Sequence, residues 1–476
     1  MKTQLDFKNG RPGKLLATMS IPAIIAMVVN GLYYLADAAF VGRGVGSEGL
    51  AGLAIVFPMQ MFMIAWGSMI GMGTASIISR SLGEKNSTSA LETVAGSVMI
   101  ATVSGVSMAV LTLLFRGSLL NAMGATAETL APSGQYLSVI ACGFPFIFLS
   151  MAGFNIARST GDAKKAGTGM LIGTLINLLL DPVFIFVFHM GVRGAALATV
   201  IARILSTLYF IVILRGQGIP LRPRFNRGVI GPIFALGAGN FLSQVCISLV
   251  AVTVNRTLSL NGSDTDLAMY GVLSRIHVFI TMPLIGLAQG FQPIAGFNYG
   301  AGNTERVRGI LRITLAASAG IGIVLAALPL AAPGLVMRAF CNDPEVIAAG
   351  LGPLRISLLL LPVIGFQITG FSWFQALGKP GKTLILSLSR QLLFLVPLLL
   401  ILPERFGIQG LWLAFPAADG LAALLSCLLM CSSSRNLRRA HCLACMNVSR
   451  EAGGREKPLA LSTTRGSQKN VKDGII

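Results

Sequence analysis

Charged residues are scarce in this chain of 476 residues. They make up 12% of it, about half of the roughly 25% that is usual in soluble domains. Hydrophobic residues supply 54%, and the mean hydropathy is +0.75. This balance excludes a water-soluble module and predicts a polytopic membrane protein. The net charge of +19 comes largely from basic residues at both ends and in alternate loops. That distribution predicts cytoplasmic termini, and no nucleic-acid partner is expected.

Histidine is also rare, with three in the whole chain, and no nucleophile or metal motif accompanies them. An integral membrane enzyme is therefore a weakly supported alternative. The seven cysteines show no paired framework, so no disulfide is predicted. His441, Cys442 and Cys445 have the spacing of half a zinc site, but a second ligand pair is missing from the sequence. We therefore predict neither a cofactor nor a resident metal.

Twelve apolar stretches can be drawn between the polar segments, and an internal repeat relates the first six to the last six. Gly73 and Gly83 match Gly290 and Gly300 at a constant offset, since 290 − 73 and 300 − 83 both equal 217. Because six spans separate equivalent points, both halves enter the membrane in the same direction. The sequence predicts an all-α membrane protein of twelve transmembrane helices in two six-helix lobes, related by an axis along the membrane normal.

The polar start leads into a long span near Leu15, so we expect no cleaved signal peptide and a multi-pass protein of the cell (plasma or inner) membrane. The predicted parts are a cytoplasmic N-terminus (1–14), an N-lobe (15–214), a cytoplasmic inter-lobe loop (215–228), a C-lobe (229–431) and a basic, disordered cytoplasmic tail (432–476).

The segment from Leu171 to Phe188 places Asn177 and Asp181 four residues apart in an otherwise apolar helix. This spacing puts both side chains on one face. An aspartate at the centre of a bilayer costs roughly 2.5–3.5 kcal/mol on insertion scales, so contact with lipid is disfavoured. Pro182 cannot donate to the preceding turn, which leaves a carbonyl free and marks a place where the helix could bend. We interpret this segment as an ion site.

Two further polar residues are candidates for the same site. Asp37 follows Pro22, a second proline at which a helix could bend, by fifteen residues in the first span; a helix-end or loop acid is the alternative explanation of Asp37. Thr199 lies eighteen residues beyond Asp181, and antiparallel helices could bring the two to similar depth; a threonine in a membrane helix more often bonds its own backbone. The repeat equivalents of the four polar residues are apolar: Val254, Phe394, Leu398 and Phe415. The polar cluster is therefore predicted in the first lobe alone.

Other polar or adaptable residues within the spans are candidates for a substrate cavity. Methionine suits promiscuous apolar ligands, and glutamine and arginine could contact polar groups of a substrate, but packing and hydrogen bonds between helices explain each one equally well. The candidate residues are Gln60, Met61, Arg203, Arg275, Gln289 and Gln292.

The sequence resembles the multidrug and toxic compound extrusion (MATE) family. The resemblance covers most of the chain and rests on LYYLADAAFVGR after Pro22, on GFQPIAGFNYGAGN (Gly290 to Asn303) and on QALGKPGK (Gln375 to Lys382). It implies a two-lobe antiporter that exports amphipathic, often cationic drugs, a route to antibiotic resistance, while taking in protons or sodium ions. In one branch of the family an acid in the first helix joins Asn-x-x-x-Asp in the fifth and Thr in the sixth. The matching residues are Asp37, Asn177, Asp181 and Thr199.

The acidic residues that another branch uses in its second lobe have no evident match here. The expected partners are therefore small amphipathic drugs and the lipid bilayer, with H⁺ or Na⁺ as the coupling ion and a monomer as the oligomeric state. A flippase for lipids or polysaccharide precursors is the main alternative. It would favour a cavity lined by several arginines, for which Arg203 and Arg275 are the candidates.

Overall fold

The structure is a computed structural model that describes residues 5–453, and every regular element in that range is helical. The first lobe comprises α1 (Pro12–Gly44), α2 (Gly46–Gly83), α3 (Ser87–Leu114), α4 (Arg116–Ala122), α5 (Ala127–Cys142), α6 (Phe144–Ser159), α7 (Ala163–Pro182), a π-helical segment (Val183–Val187) and α8 (Gly191–Gly216). The second lobe comprises α9 (Arg227–Asn261), α10 (Asp264–Gly300), α11 (Thr304–Ala331), α12 (Pro333–Phe340), α13 (Pro344–Leu358), α14 (Leu361–Ala376), α15 (Pro380–Leu388), a second π-helical segment (Ser389–Leu395) and α16 (Val396–Gly453).

The twelve predicted spans are confirmed by the helices of the described range. Ten helices are long and apolar enough to cross a membrane, and two bent pairs supply the remaining spans. The pairs are α5 with α6, bent by 49°, and α13 with α14, bent by 48°. Pro145 and Pro362 stand at the start of the second helix in each pair, where a proline cannot donate to the preceding turn. Gly407 interrupts α16 with non-helical backbone and separates the last two spans.

Local sequence explains why equivalent helices begin at equivalent places in the two lobes. Asn86 caps α3 by accepting a hydrogen bond from the backbone of Ser89 at 3.0 Å. Asn303 caps α11 by accepting from the backbone of Arg306 at 3.3 Å. These side chains satisfy N–H groups that the first turn of a helix leaves without partners. The two halves of the repeat therefore share the residues that begin their helices as well as their hydrophobic pattern. The short helices α4 and α12 were not predicted.

The lobes contact each other through α1 with α10 and α2 with α9, and α2 crosses α10 where both helices end. A Cβ atom added at Gly83 would lie 2.0 Å from the carbonyl oxygen of Phe297, and one added at Gly300 would lie 2.2 Å from that of Arg80. The two contacts are equivalent under the repeat, since residue 80 corresponds to 297. Glycine is required at both positions because the backbones touch. We call this end of the molecule the inner end.

At the opposite end the same helices do not approach each other in this way. Cβ atoms added at Gly42 of α1 or Gly271 of α10 would meet nothing within 4 Å. Phe57 of α2 and Val252 of α9 are both more than half exposed. The two lobes are therefore joined at the inner end and separate toward the other end.

The chain after Ser432 forms a separate unit. Its backbone is helical up to Gly453, whereas the sequence predicted disorder from residue 432. Residues 454–476 lie outside the described residues, and so do the side chains of His441, Cys442 and Cys445 of the possible zinc half-site.

Candidate cation site

The predicted Asn177 and Asp181 face the interior of the first lobe from the last turns of α7. The side-chain amide of Asn177 donates to Oδ1 of Asp181 at 3.1 Å, and both residues are buried. The second carboxylate oxygen, Oδ2, is buried without a hydrogen-bond partner among the described residues. Pro182 ends the α-helix, and the next five residues are π-helical. Proline has no backbone N–H, so the regular pattern of α-helical hydrogen bonds cannot continue through it.

Asp37 of α1 joins this pair. Helix α1 packs directly against α7, and the carboxyl groups of Asp37 and Asp181 are close enough for each to act electrostatically on the other. Two ionised carboxylates are both acceptors and repel each other, so this contact requires a proton or a cation between them. The structure thus brings together three of the four predicted residues.

Thr199 of α8, the fourth predicted residue, is half-buried. Its hydroxyl donates to the carbonyl oxygen of Ala195 in its own helix at 3.1 Å. The proton of this hydroxyl is therefore engaged within α8, as the common behaviour of threonine in a helix predicts. An oxygen lone pair stays available to a cation, but no contact of Thr199 with either carboxyl group is observed within the described residues.

Two residues from other helices complete the surroundings of the carboxyl pair. Tyr136 of α5 is buried, and the charges of Asp37 and Asp181 both act on its hydroxyl group. The side-chain amide of Gln60 of α2 donates to that hydroxyl. Gln60 therefore contacts a residue beside the carboxyl pair. The sequence analysis did not identify Tyr136, because a single tyrosine in an apolar span carries no sequence signal.

The remaining cavity candidates do not form one group. Met61 and Arg203 are half-buried, and Arg275 is exposed, with no contact joining the two arginines in the described part of the chain. The amide of Gln289 approaches the sulfur of Met27 across the lobes at 3.8 Å. Gln292 is fully buried between helices, and its predicted place in a substrate cavity stays a prediction.

Gln292 belongs instead to a buried polar network around Arg158, which the sequence analysis did not single out. The guanidinium of Arg158 donates to Gln292 Oε1 at 2.7 Å, to Asn155 Oδ1 at 2.8 Å and to the backbone carbonyl of Gln289. Gln292 in turn donates to Gln375 of α14 at 3.0 Å. Arg158 is 1% exposed, and its hydrogen-bond acceptors among the described residues are neutral groups. The network connects α6 of the first lobe to α10 and α14 of the second.

A second polar cluster lies inside the second lobe, around the buried Asp419. Arg390 forms an ion pair with Asp419, and its Nη2 lies 3.3 Å from Nε2 of His277. His277 is the repeat equivalent of Gln60, since 277 − 60 equals 217. The second lobe therefore holds a carboxylate, Asp419, that is neutralised by an arginine side chain of the protein itself. The first lobe instead holds two carboxyl groups close to each other. Among the described residues no group of three metal-ligating side chains is found.

Two pseudo-symmetric bundles joined at the inner end, with an acidic site inside one of them, are an architecture typical of membrane transporters. The family model MatE matches residues 22–183 and 240–401, one copy in each lobe, and the chain belongs to this family of MATE transporters.

Relatives and solved structures agree with this assignment. The chain is 27% identical over 438 residues to the multidrug export protein MepA of Staphylococcus haemolyticus, covering 90% of this chain and 96% of that protein. It is 26% identical over 431 residues to MepA of Staphylococcus aureus strain MSSA476, covering 89% and 94%. A solved multidrug resistance MATE transporter of the MOP superfamily, described as outward-facing, superposes with a TM-score of 0.87 at 26% identity, covering 92% of this chain and all of that one.

Proposed function

We propose that this protein is a cation-coupled multidrug antiporter that exports amphipathic, often cationic compounds by alternating access, driven by H⁺ or Na⁺. The similarity to multidrug export proteins supports the substrate class. The observation that carries the coupling is the pair of half-buried Asp37 and buried Asp181, beside Asn177 in the first lobe. The proposed location is the cell membrane, with both termini cytoplasmic.

The carboxyl pair links ion occupancy to the position of α1. With a proton or Na⁺ present, Asp37 and Asp181 stay in contact; without one, two like charges in a medium of low polarity repel each other. Carboxylate and amide oxygens suit a hard cation, so Asp37, Asp181 and Asn177 would supply ligands to Na⁺. Separation of the pair moves α1 relative to α7.

Motion of α1 reaches the other lobe because α1 also packs against α10. Pro22 lies within α1, beside Gly167 of α7: a Cβ added at Gly167 would lie 3.1 Å from the carbonyl oxygen of Pro22. A bend at Pro22 would displace the outer part of α1 while its inner part stays in place, and the π-helical turn after Pro182 gives α7 a second adjustable point. A cationic drug and the coupling ion are alternative partners for the same negative charge, which makes the transport an exchange.

The test measures transport of a cationic dye into inverted vesicles, which is the direction of export from the cell, with a pH gradient and a sodium gradient imposed separately. We expect one gradient to drive transport in the wild type, and Asp37→Asn and Asp181→Asn each to abolish the driven component. Asp264→Asn, which removes an exposed acid at the start of α10, is the matched control and should transport normally. Full gradient-driven efflux by Asp181→Asn would refute the proposal.

A further inference from the structure

We propose that the inner end of the first lobe binds an anionic phospholipid, whose headgroup contacts Arg215 and Arg222 and whose acyl chain occupies an apolar groove between α3, α6 and α8. This inference is independent of the cation site and of the direction of transport. It rests on two adjoining cavities and on the charge of the segment that joins the lobes.

The first cavity, of about 230 Å³, is a groove with mainly apolar walls. Its walls include Val98 of α3, Leu149 and Ile156 of α6, and Phe210 and Leu214 of α8. The lining residues of α8 extend from 207 to 214, and seven residues of α-helix correspond to about 10 Å along the helix axis.

The groove lies on a face of the first lobe that meets hydrocarbon. Leu208 and Val212, which flank the lining residues on α8, are 50% and 69% exposed. Large apolar side chains with that exposure on a membrane helix face lipid. A lipid chain can therefore enter the groove sideways from the bilayer.

The second cavity, of about 320 Å³, lies at the inner end of the groove and is lined by Arg215, Arg222 and the backbone between them. Arg215 and Leu221 line both cavities, so the two adjoin. Both arginine side chains are exposed, and neither makes a hydrogen bond or ion pair within the described residues. A guanidinium presents several donors to phosphate oxygens, which matches the headgroup of a phospholipid.

The charge of the surrounding segment favours the same ligand. Residues 215–227 contain four arginines and no acidic residue. The segment is folded onto the first lobe: the backbone N–H of Arg224 donates to Ala95 of α3 at 3.4 Å, and Ile219 is buried. Basic pockets between transmembrane helices at the membrane surface are suited to anionic lipid headgroups. A soluble anion would leave the apolar groove unfilled, which is why we assign a lipid.

The experiment is native mass spectrometry of the purified full-length protein, titrated with phosphatidylglycerol or phosphatidylcholine and without any ion gradient or drug. We expect tighter binding of phosphatidylglycerol. Arg215→Gln and Arg222→Gln should each weaken it about fivefold, and the double variant about 25-fold, from the usual contribution of one basic residue near an anionic surface. The double variant Lys14→Gln, Arg312→Gln loses the same charge at exposed positions elsewhere and should bind like the wild type.

The groove is tested by Thr102→Trp, which fills it without changing the charge, against Val103→Trp on an exposed face of the same helix. We expect lipid affinity to fall for Thr102→Trp and to be unchanged for Val103→Trp. Glycerol 3-phosphate should compete poorly because it lacks an acyl chain. Equal affinity for the two lipids, equal loss in the control double variant, or displacement by glycerol 3-phosphate at lipid-like concentrations would each overturn the proposal.

Discussion

Substituting alanine for Gly300 should open the inner end of the molecule. The added Cβ would lie 2.2 Å from the carbonyl oxygen of Arg80, whereas ordinary contact begins at 3.4 Å, so α2 and α10 must separate by about 1.2 Å. The obstacle is backbone, and no side-chain rotation can relieve it. Overpacking of this kind costs about 1–3 kcal/mol, which lowers the ratio of closed to open protein about fivefold to 150-fold.

The measurement is labelling of a cysteine at Ser79 of α2, which is buried at the inner end, by a membrane-impermeant maleimide in inverted vesicles. In a background without other cysteines, Gly300→Ala should raise the labelling rate in proportion to the open population and slow drug efflux. Gly309→Ala adds the same methyl group on α11, where nothing lies within 4 Å, and should change neither. If the two variants label at the same rate, the inner closure does not depend on this crossing.

Three further predictions concern buried polar groups. Arg158→Met should lower the free energy of unfolding by at least about 3 kcal/mol, because it removes several charge-assisted hydrogen bonds and leaves their acceptors unpaired. An unchanged melting temperature would contradict the network. Asp419→Asn should cost about 1–3 kcal/mol by leaving half-buried Arg390 without its acid. The double variant Arg390→Met, Asp419→Leu should melt within a few degrees of the wild type, and equal losses in both would show that packing, not charge, matters. Tyr136→Phe should retain the fold and weaken gradient-driven dye efflux severalfold because Gln60 loses its acceptor beside the carboxyl pair, and wild-type efflux would exclude that support.

The fold was largely predictable because a bilayer restricts what a chain can do. Twelve apolar stretches must become helices, since lipid offers no partner for backbone N–H and C=O groups. The two bends followed a readable signal as well: Pro145 and Pro362 are repeat equivalents, and each begins the second helix of a bent pair. We had expected bends at Pro22 and Pro182 instead, and their part in transport stays a prediction.

The candidate site was predictable to the extent that it follows helix periodicity. Four-residue spacing alone placed Asn177 and Asp181 on one face, and in the structure a hydrogen bond joins them. Asp37 could be assigned to the same chamber through family resemblance, but its distance from Asp181 depends on how α1 packs on α7. The burial of Gln292 between the lobes could not be predicted, because a buried glutamine between lobes and a glutamine that lines a cavity have the same appearance in sequence.

The sequence by itself determined the membrane class, the number of spans and the twofold repeat, because hydropathy and periodicity are local properties that each stretch carries independently of its neighbours. Only the tertiary structure decided which polar groups meet. The contact of Asp37 with Asp181, the burial of Arg158 between lobes and the adjoining cavities beside Arg215 all join residues from helices far apart in the chain. Such contacts depend on the relative rotation and depth of whole helices, and no local pattern specifies these quantities.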